Sequence, residues 1–232
     1  MEKDSLTAKK LKIVWICHFM NQSIKEKLRI PYAVKELAPW ITLGVDEFKK
    51  RNDIDLHLIA PLVHICNSTI IVEGNITYHF VKIGRPLSRK PWPNWFNLDV
   101  LLNYMPFNLQ VIRLIKRIQP DLVNLIGAEN AYYSSSVLKI KNYPILVTIQ
   151  GFVSLNNELE GGNTKVVKRR ILIEEEIMRK MKHFGVEATS IESYIRAYNP
   201  EAKMHWFHFP FAKTNVDTDH TKEYDIVFFA RI

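Results

Sequence analysis

Residues 120–153 read PDLVNLIGAENAYYSSSVLKIKNYPILVTIQGFV. Leu122 to Ile126 is a short apolar run, and Gly127 ends it. Ala128 to Lys141 can form one helix, with Glu129 in its first turn, where a carboxylate suits the helix dipole. Pro144 closes the connection, and Ile145 to Ile149 is a second apolar run rich in β-branched residues. Two buried strands joined by a helix make a crossover, so the strands are parallel and end on the same edge of the sheet. The first delivers Glu129 and Asn130 to that edge, and the second delivers Gln150 and Gly151. Open α/β sheets bind ligands there, so the two polar clusters are expected to face one crevice.

Working outward, Leu11 to Cys17 is the first strand, and it runs into a polar loop, His18 to Ser23. That loop should reach the same edge, which adds Asn21 to the candidates. A helix is expected from Glu36 or Ala38 to Lys50, then strands over 54–59 and 76–83, with 63–75 left without a form. Residues 83–107 are rich in proline, tryptophan and basic residues; Trp92, Trp95, Phe96 and Phe107 suit either core packing or an acceptor pocket. Val111, Ile112, Ile115 and Ile118 recur at helical spacing. Past Gly151, residues 154–164 form a polar loop with the look of a lid. A long helix follows. Its Glu174, Glu175 and Glu176 spread around a helix and read as a solvated charged face. A strand over 183–188, a helix capped by Thr189 or Ser190, and a strand over 203–207 complete the unit. The expected fold is α/β: a Rossmann-like parallel sheet of about seven strands, order 3-2-1-4-5-6-7, with helices on both faces.

The expected division is a disordered lead over 1–10, one domain over 11–211, a polar linker over 212–223, and an apolar strand over 224–232 that would open a second domain. The 232 residues carry a net charge of +8. A basic chain favours acidic partners such as nucleotide diphosphates or anionic lipid surfaces. Two cysteines do not make a disulfide framework, and a cytoplasmic setting is the simpler expectation. No stretch has the ~18 apolar residues of a spanning helix. There is no GxGxxG after the first strand and no P-loop, no HExxH or zinc spacing, and no GxSxG elbow. His205 and His208 alone are too few ligands for a metal. No RNP or helix–turn–helix signature points to nucleic acid. No cofactor and no metal are expected.

Three stretches in order, KIVWICHFMN, PDLVNLIGAENAYY and PILVTIQGFVS, followed by FGVEATSIESYIRAYNPEAKMHW and YDIVFFARI, resemble the N-terminal domain of a GT-B glycosyltransferase of the family-4 type, also called glycosyl transferase group 1. The resemblance implies two Rossmann-like domains facing a cleft, with the N-terminal one holding the acceptor. It implies a retaining, nucleotide-sugar-dependent transfer without an obligatory metal, as in polysaccharide biosynthesis. The family often has Thr-x-His-Gly where this chain has Thr148-Ile149-Gln150-Gly151. It often has Gly-Gly after the first strand, where this chain has Ala38-Pro39-Trp40. Arg231 matches the arginine that neutralises the donor diphosphate, with Ala230 in place of the preceding glycine.

The resulting expectation is an acceptor domain that is inactive alone. It would serve transfer from a nucleotide-sugar donor to a saccharide or lipid-linked acceptor, in the cytoplasm or peripherally at the inner face of the membrane. Asn21, Glu129, Asn130, Gln150 and Gly151 are the acceptor-side candidates, and Arg231 is the donor-side candidate. No catalytic residue is singled out. The alternative is a non-enzymatic Rossmann-like module that binds sugar or nucleotide. A response-regulator-like domain is a third reading, but the acidic cluster it needs after the first strand is missing.

Overall fold

A computed structural model describes residues 9–35, 37–93, 96–155 and 164–208. The proposed linker, the terminal strand with Arg231, most of the lead and most of the lid-like loop therefore lie outside the described residues.

Eight strands form one sheet: β1 (Leu11–Ile16), β2 (Ile54–Leu62), β3 (Thr69–Glu73), β4 (Ile76–Lys82), β5 (Leu122–Ile126), β6 (Ile145–Thr148), β7 (His183–Val186) and β8 (Lys203–Trp206). Their order is β3-β4-β2-β1-β5-β6-β7-β8. All neighbours are parallel except β3 and β4. The expected order of seven holds, with β3 added at one edge. In sequence, residues 69–73 declare no form, because Thr-Ile-Ile-Val-Glu does not alternate cleanly. Gly74, at φ +61, supplies the tight turn that folds this strand back on β4.

Strand alternation splits the core. Val14, Ile16, Val123, Leu125 and Val147 face one side. There they meet the helices α4 (Met105–Ile118), α6 (Lys165–Lys180) and α7 (Thr189–Tyr198), together with the start of the β5–β6 connection. Ile13, Trp15, Leu56 and Leu58 face the other side, under α1 (Gln22–Lys27) and α2 (Pro39–Lys49). Burying each such aliphatic side chain contributes roughly 1.5–3 kcal/mol, so strand registry is strongly fixed. The short helix α3 (Leu98–Leu101) precedes α4.

Two local expectations are corrected, and one left open is resolved. The connection from β5 to β6 is not one helix over 128–141. It is α5 (Ala131–Ser134) followed by a 3-10 turn, Ser135–Lys139. Asn130 starts it by accepting from Tyr132 N–H, and the Ser136 hydroxyl donates back to Tyr133 O at 2.6 Å. Serine side chains that bond the backbone locally favour such short, tight turns over a long helix. Second, α7 is preceded by Ala188, with no side-chain cap from Thr189 or Ser190, which lie inside the helix. Of the aromatics that suit either packing or a pocket, Phe107 is core and Trp92 donates its indole N–H to Asp99, so these two take the packing role.

Candidate active site

Strands β1, β5 and β6 are adjacent and in register, Ile16 beside Leu125 and Ile126 beside Thr148. Their carboxyl ends therefore open side by side. A cavity of about 370 Å³ lies there, walled by His18, Glu129, Asn130, Tyr133 and Gln150, by Arg170 of α6, and by residues 37–41 leading into α2. That size suits a small organic ligand.

Gly127 sets the geometry. It takes φ +88, and a Cβ there would lie 2.6 and 2.8 Å from the Glu129 carboxylate oxygens and 2.8 Å from the Tyr133 hydroxyl. Only glycine leaves the space into which Glu129 folds back. The Glu129 carboxylate is mostly enclosed, and its Oε2 is buried without a hydrogen-bond partner among the described residues. Burial, helped by the nearby charge of Glu174, pushes its pKa up to about 7, against the opposing pull of Arg170. Arg170 Nε donates to the Glu129 backbone oxygen at 3.0 Å. A buried polar atom left unpaired is costly, and its position in a cleft marks a functional candidate.

His18 stands opposite. Burial first, and Arg170 second, lower its pKa to about 4, so its imidazole is neutral at pH 7. It packs at 5.3 Å on the Tyr133 ring, and Asn130 Nδ2 lies 3.5 Å from both ring nitrogens. Ala38 adopts φ 51 at the start of α2. A left-handed alanine costs about 1–2 kcal/mol, and strain of this kind gathers at functional sites. It turns Pro39 and Trp40 into the wall.

Of the acceptor-side candidates, Glu129, Asn130 and Gln150 come together in the cavity. Asn21 does not line it: its Oδ1 accepts from Ile24 N–H and caps α1. Gly151 is half-buried, with open space beside its Cα, and is not part of the wall. Arg231 lies outside the described residues. Sequence reasoning missed His18, Tyr133 and Arg170. His18 is the first polar residue after β1, and that position was its signal; Arg170 was hidden in a basic run.

Glu174 corrects the solvated-face expectation. It is fully buried and accepts from Val153 N–H (2.8 Å), Ser154 N–H (3.2 Å) and the Ser154 hydroxyl (2.8 Å). It clamps the loop that carries Gln150. Glu175 and Glu176 do pair at the surface, with Arg179 and Lys180.

A second hollow of about 250 Å³ lies against the β5–β7 face, lined mainly by Trp15, Trp40, Gly44, Trp206 and Phe207, with few polar groups. It lacks the chemistry of the first. Among the described residues, no group of three or more potential metal ligands occurs, and no helix is long and apolar enough to cross a membrane.

The fold has solved neighbours. Sucrose-phosphate synthase from Thermosynechococcus elongatus matches with a TM-score of 0.52 at 9% identity, over 85% of this chain and 47% of that one. The Glycyrrhiza uralensis UGT solved with glycyrrhetinic acid 3-O-monoglucuronide gives 0.45 at 11% identity, over 84% and 48%. The α,α-trehalose-phosphate synthase (UDP-forming) from Burkholderia vietnamiensis gives 0.43 at 11%, over 81% and 42%. The likeness is one of fold, a Rossmann-like domain of the GT-B kind, and this chain spans about half the length of the first of these proteins. No family model matches the chain, and no curated protein matches it.

Proposed function

We propose that this chain is the acceptor-binding half of a glycosyltransferase that moves a sugar from a nucleotide-sugar to a saccharide or lipid-linked acceptor with retention of configuration. The observation that carries the reading is the cavity at the ends of β1, β5 and β6, with one carboxylate oxygen of the wall residue Glu129 enclosed and unpaired beside it among the described residues. Turned toward the cavity, the Glu129 carboxylate can accept from an entering hydroxyl. Gln150 and Asn130 offer amides to neighbouring hydroxyls, and neutral His18 can accept or donate without adding charge. Fixing an acceptor hydroxyl in place is a large part of what such a domain contributes.

In the transfer, the acceptor oxygen forms a bond to the sugar's anomeric carbon. The bond from that carbon to the diphosphate breaks, its electron pair leaves with the phosphate, and the acceptor hydroxyl's proton passes to the departing phosphate oxygen. The negative charge on the leaving group needs cations or helix N-termini. In this reading Arg231 and a second, donor-binding domain meet that need, and the four cavity side chains bind the acceptor.

The test is turnover by the whole protein with a panel of nucleotide-sugars and saccharide or lipid-linked acceptors. A rate of about 1 per second or faster is expected on the right pair. Sugar or nucleotide binding in the cavity, without transfer from any donor, would replace this reading by a non-enzymatic binding module.

A further inference from the structure

A further hollow lies toward the opposite edge of the sheet. Where β3 and β4 meet α4, a cavity of about 280 Å³ opens, and it shares no wall residue with the cavity at the ends of β1, β5 and β6. Ile70 of β3 with His79 and Val81 of β4 form its floor. α4 forms its side with Gln110, Arg113, Leu114 and Arg117. The size suits a small molecule.

The cations of this cavity differ from those of the other helices. On α6, Arg179 and Lys180 pair with Glu175 and Glu176, and on α7 Arg196 pairs with Glu192. α4 has no acidic residue, and no ion pair reaches Arg113 or Arg117 among the described residues. The two stand one turn apart, about 6 Å along the axis, and like charges at that spacing destabilise a helix. His79 feels Arg117 as well. Its ring is only 7% exposed, and burial, then His57, then Arg117 lower its pKa to about 4. It is therefore neutral at pH 7, and the positive charge of the cavity belongs to the two arginines. His79 Nε2 lies 3.0 Å from His57 Nδ1, while its Nδ1 is buried beside the cavity with no partner among the described residues. A buried nitrogen left in that state calls for an explanation.

We infer that this cavity binds a small soluble phosphate monoester, with the phosphate held between Arg113 and Arg117. The charges match, since such a phosphate carries about −1.5 to −2 at pH 7 and faces two guanidiniums. Each guanidinium can present two parallel N–H donors to phosphate oxygens. Gln110 adds a donor. Its Oε1 accepts from the Ser68 hydroxyl at 3.1 Å, which leaves the amide nitrogen as the free end, and that nitrogen makes only a long 3.5 Å contact with Pro106 O. Ser68 is itself fixed by accepting from Lys82 N–H at 3.0 Å. Ile70, Val81 and Leu114 offer an apolar bed to the carbon part of the ligand. They also keep water from the phosphate, and attraction between charges is stronger where water is excluded. The site takes no part in the transfer proposed above, so it stands or falls separately.

Calorimetric titration of the whole protein with glycerol 3-phosphate, with no nucleotide-sugar present, tests the site. Saturable binding is expected. Arg113→Ala and Arg117→Ala should each weaken it by roughly tenfold or more, as for a lost hydrogen bond to a charged group. Arg113→Lys with Arg117→Lys keeps the charge but loses the paired donors, and should also weaken it by roughly tenfold. Both arginines are exposed, so unfolding without ligand should not move to lower temperature in any variant. Glycerol 3-phosphate should raise the unfolding temperature of the unsubstituted protein and not that of the alanine variants. No saturable binding would overturn the inference, and so would unchanged affinity in the alanine variants. Full affinity in the lysine pair would reduce the feature to diffuse positive charge and overturn it. Binding to vesicles of phosphatidylglycerol, with none to glycerol 3-phosphate, would assign the arginines to a lipid surface and overturn it too.

Discussion

Two enclosed carboxylates lie on either side of the loop after β6, and they have opposite surroundings. Glu174 receives three hydrogen bonds and holds backbone in place. Glu129 keeps one oxygen enclosed and unpaired beside a cavity. Burial raises the pKa of both. What separates them is satisfaction: a buried charge with all its partners supports the fold, whereas one left unpaired costs stability and persists for another reason.

The largest expected effect would sharpen that contrast. Glu174→Ala leaves the buried Val153 N–H and the Ser154 groups without an acceptor, and should cost about 3 kcal/mol in urea unfolding. Stability equal to that of the unsubstituted protein would break the comparison at its structural end.

Glu129→Gln should do the reverse. The folded pKa of about 7 lies above the ordinary 4.5. Between those values the folded form keeps a proton that the unfolded chain has released, so stability falls as pH rises through that window and levels off above it. Glutamine removes this penalty, and at pH 8 the variant should gain on the order of 2 kcal/mol. Urea midpoints at pH 5 and pH 8 check both the sign and the window.

Transfer is the next test. Glu129→Gln and Gln150→Ala should each lower kcat/KM by at least tenfold, about 1.4 kcal/mol. Gln150→Ala should leave folding within about 0.5 kcal/mol. In the unsubstituted protein, transfer should rise with pH through about 7 as the Glu129 carboxylate forms, and this limb should vanish in Glu129→Gln. Normal kinetics in both variants would reduce the cavity to scaffold.

The smallest effect concerns Asn21. Its amide is spent on the first turn of α1, so Asn21→Ala should cost about 1 kcal/mol of stability and leave transfer unchanged.

These contrasts also mark how far the sequence could be read. The strands β1, β5 and β6 were legible because apolar runs ending in Gly127 or Gln150-Gly151 leave few alternatives, and their parallel pairing brought Glu129, Asn130 and Gln150 together. Direction along a loop was not legible. Asn21 looked like a cavity residue, yet a short polar side chain ahead of a helix is as good a cap, and here the backbone claimed it. Glu174 sat in a run of three glutamates, and periodicity could not say which of the three turned inward. Arg170 reaches the cavity from a helix about 40 residues downstream of Glu129, a meeting that depends on how α6 packs and so leaves no local trace. The β3 hairpin was missed because its turn glycine followed a run without alternation.

Trp40 is a common wall of the polar cavity and the apolar hollow. In optical terms, the molecule carries its own reporter at the junction of two compartments. Among the tryptophans of the described residues, this indole is the one that lines both spaces. A sugar entering the cavity should shift tryptophan emission, and Trp40→Phe should abolish that shift while leaving the signal of unfolding.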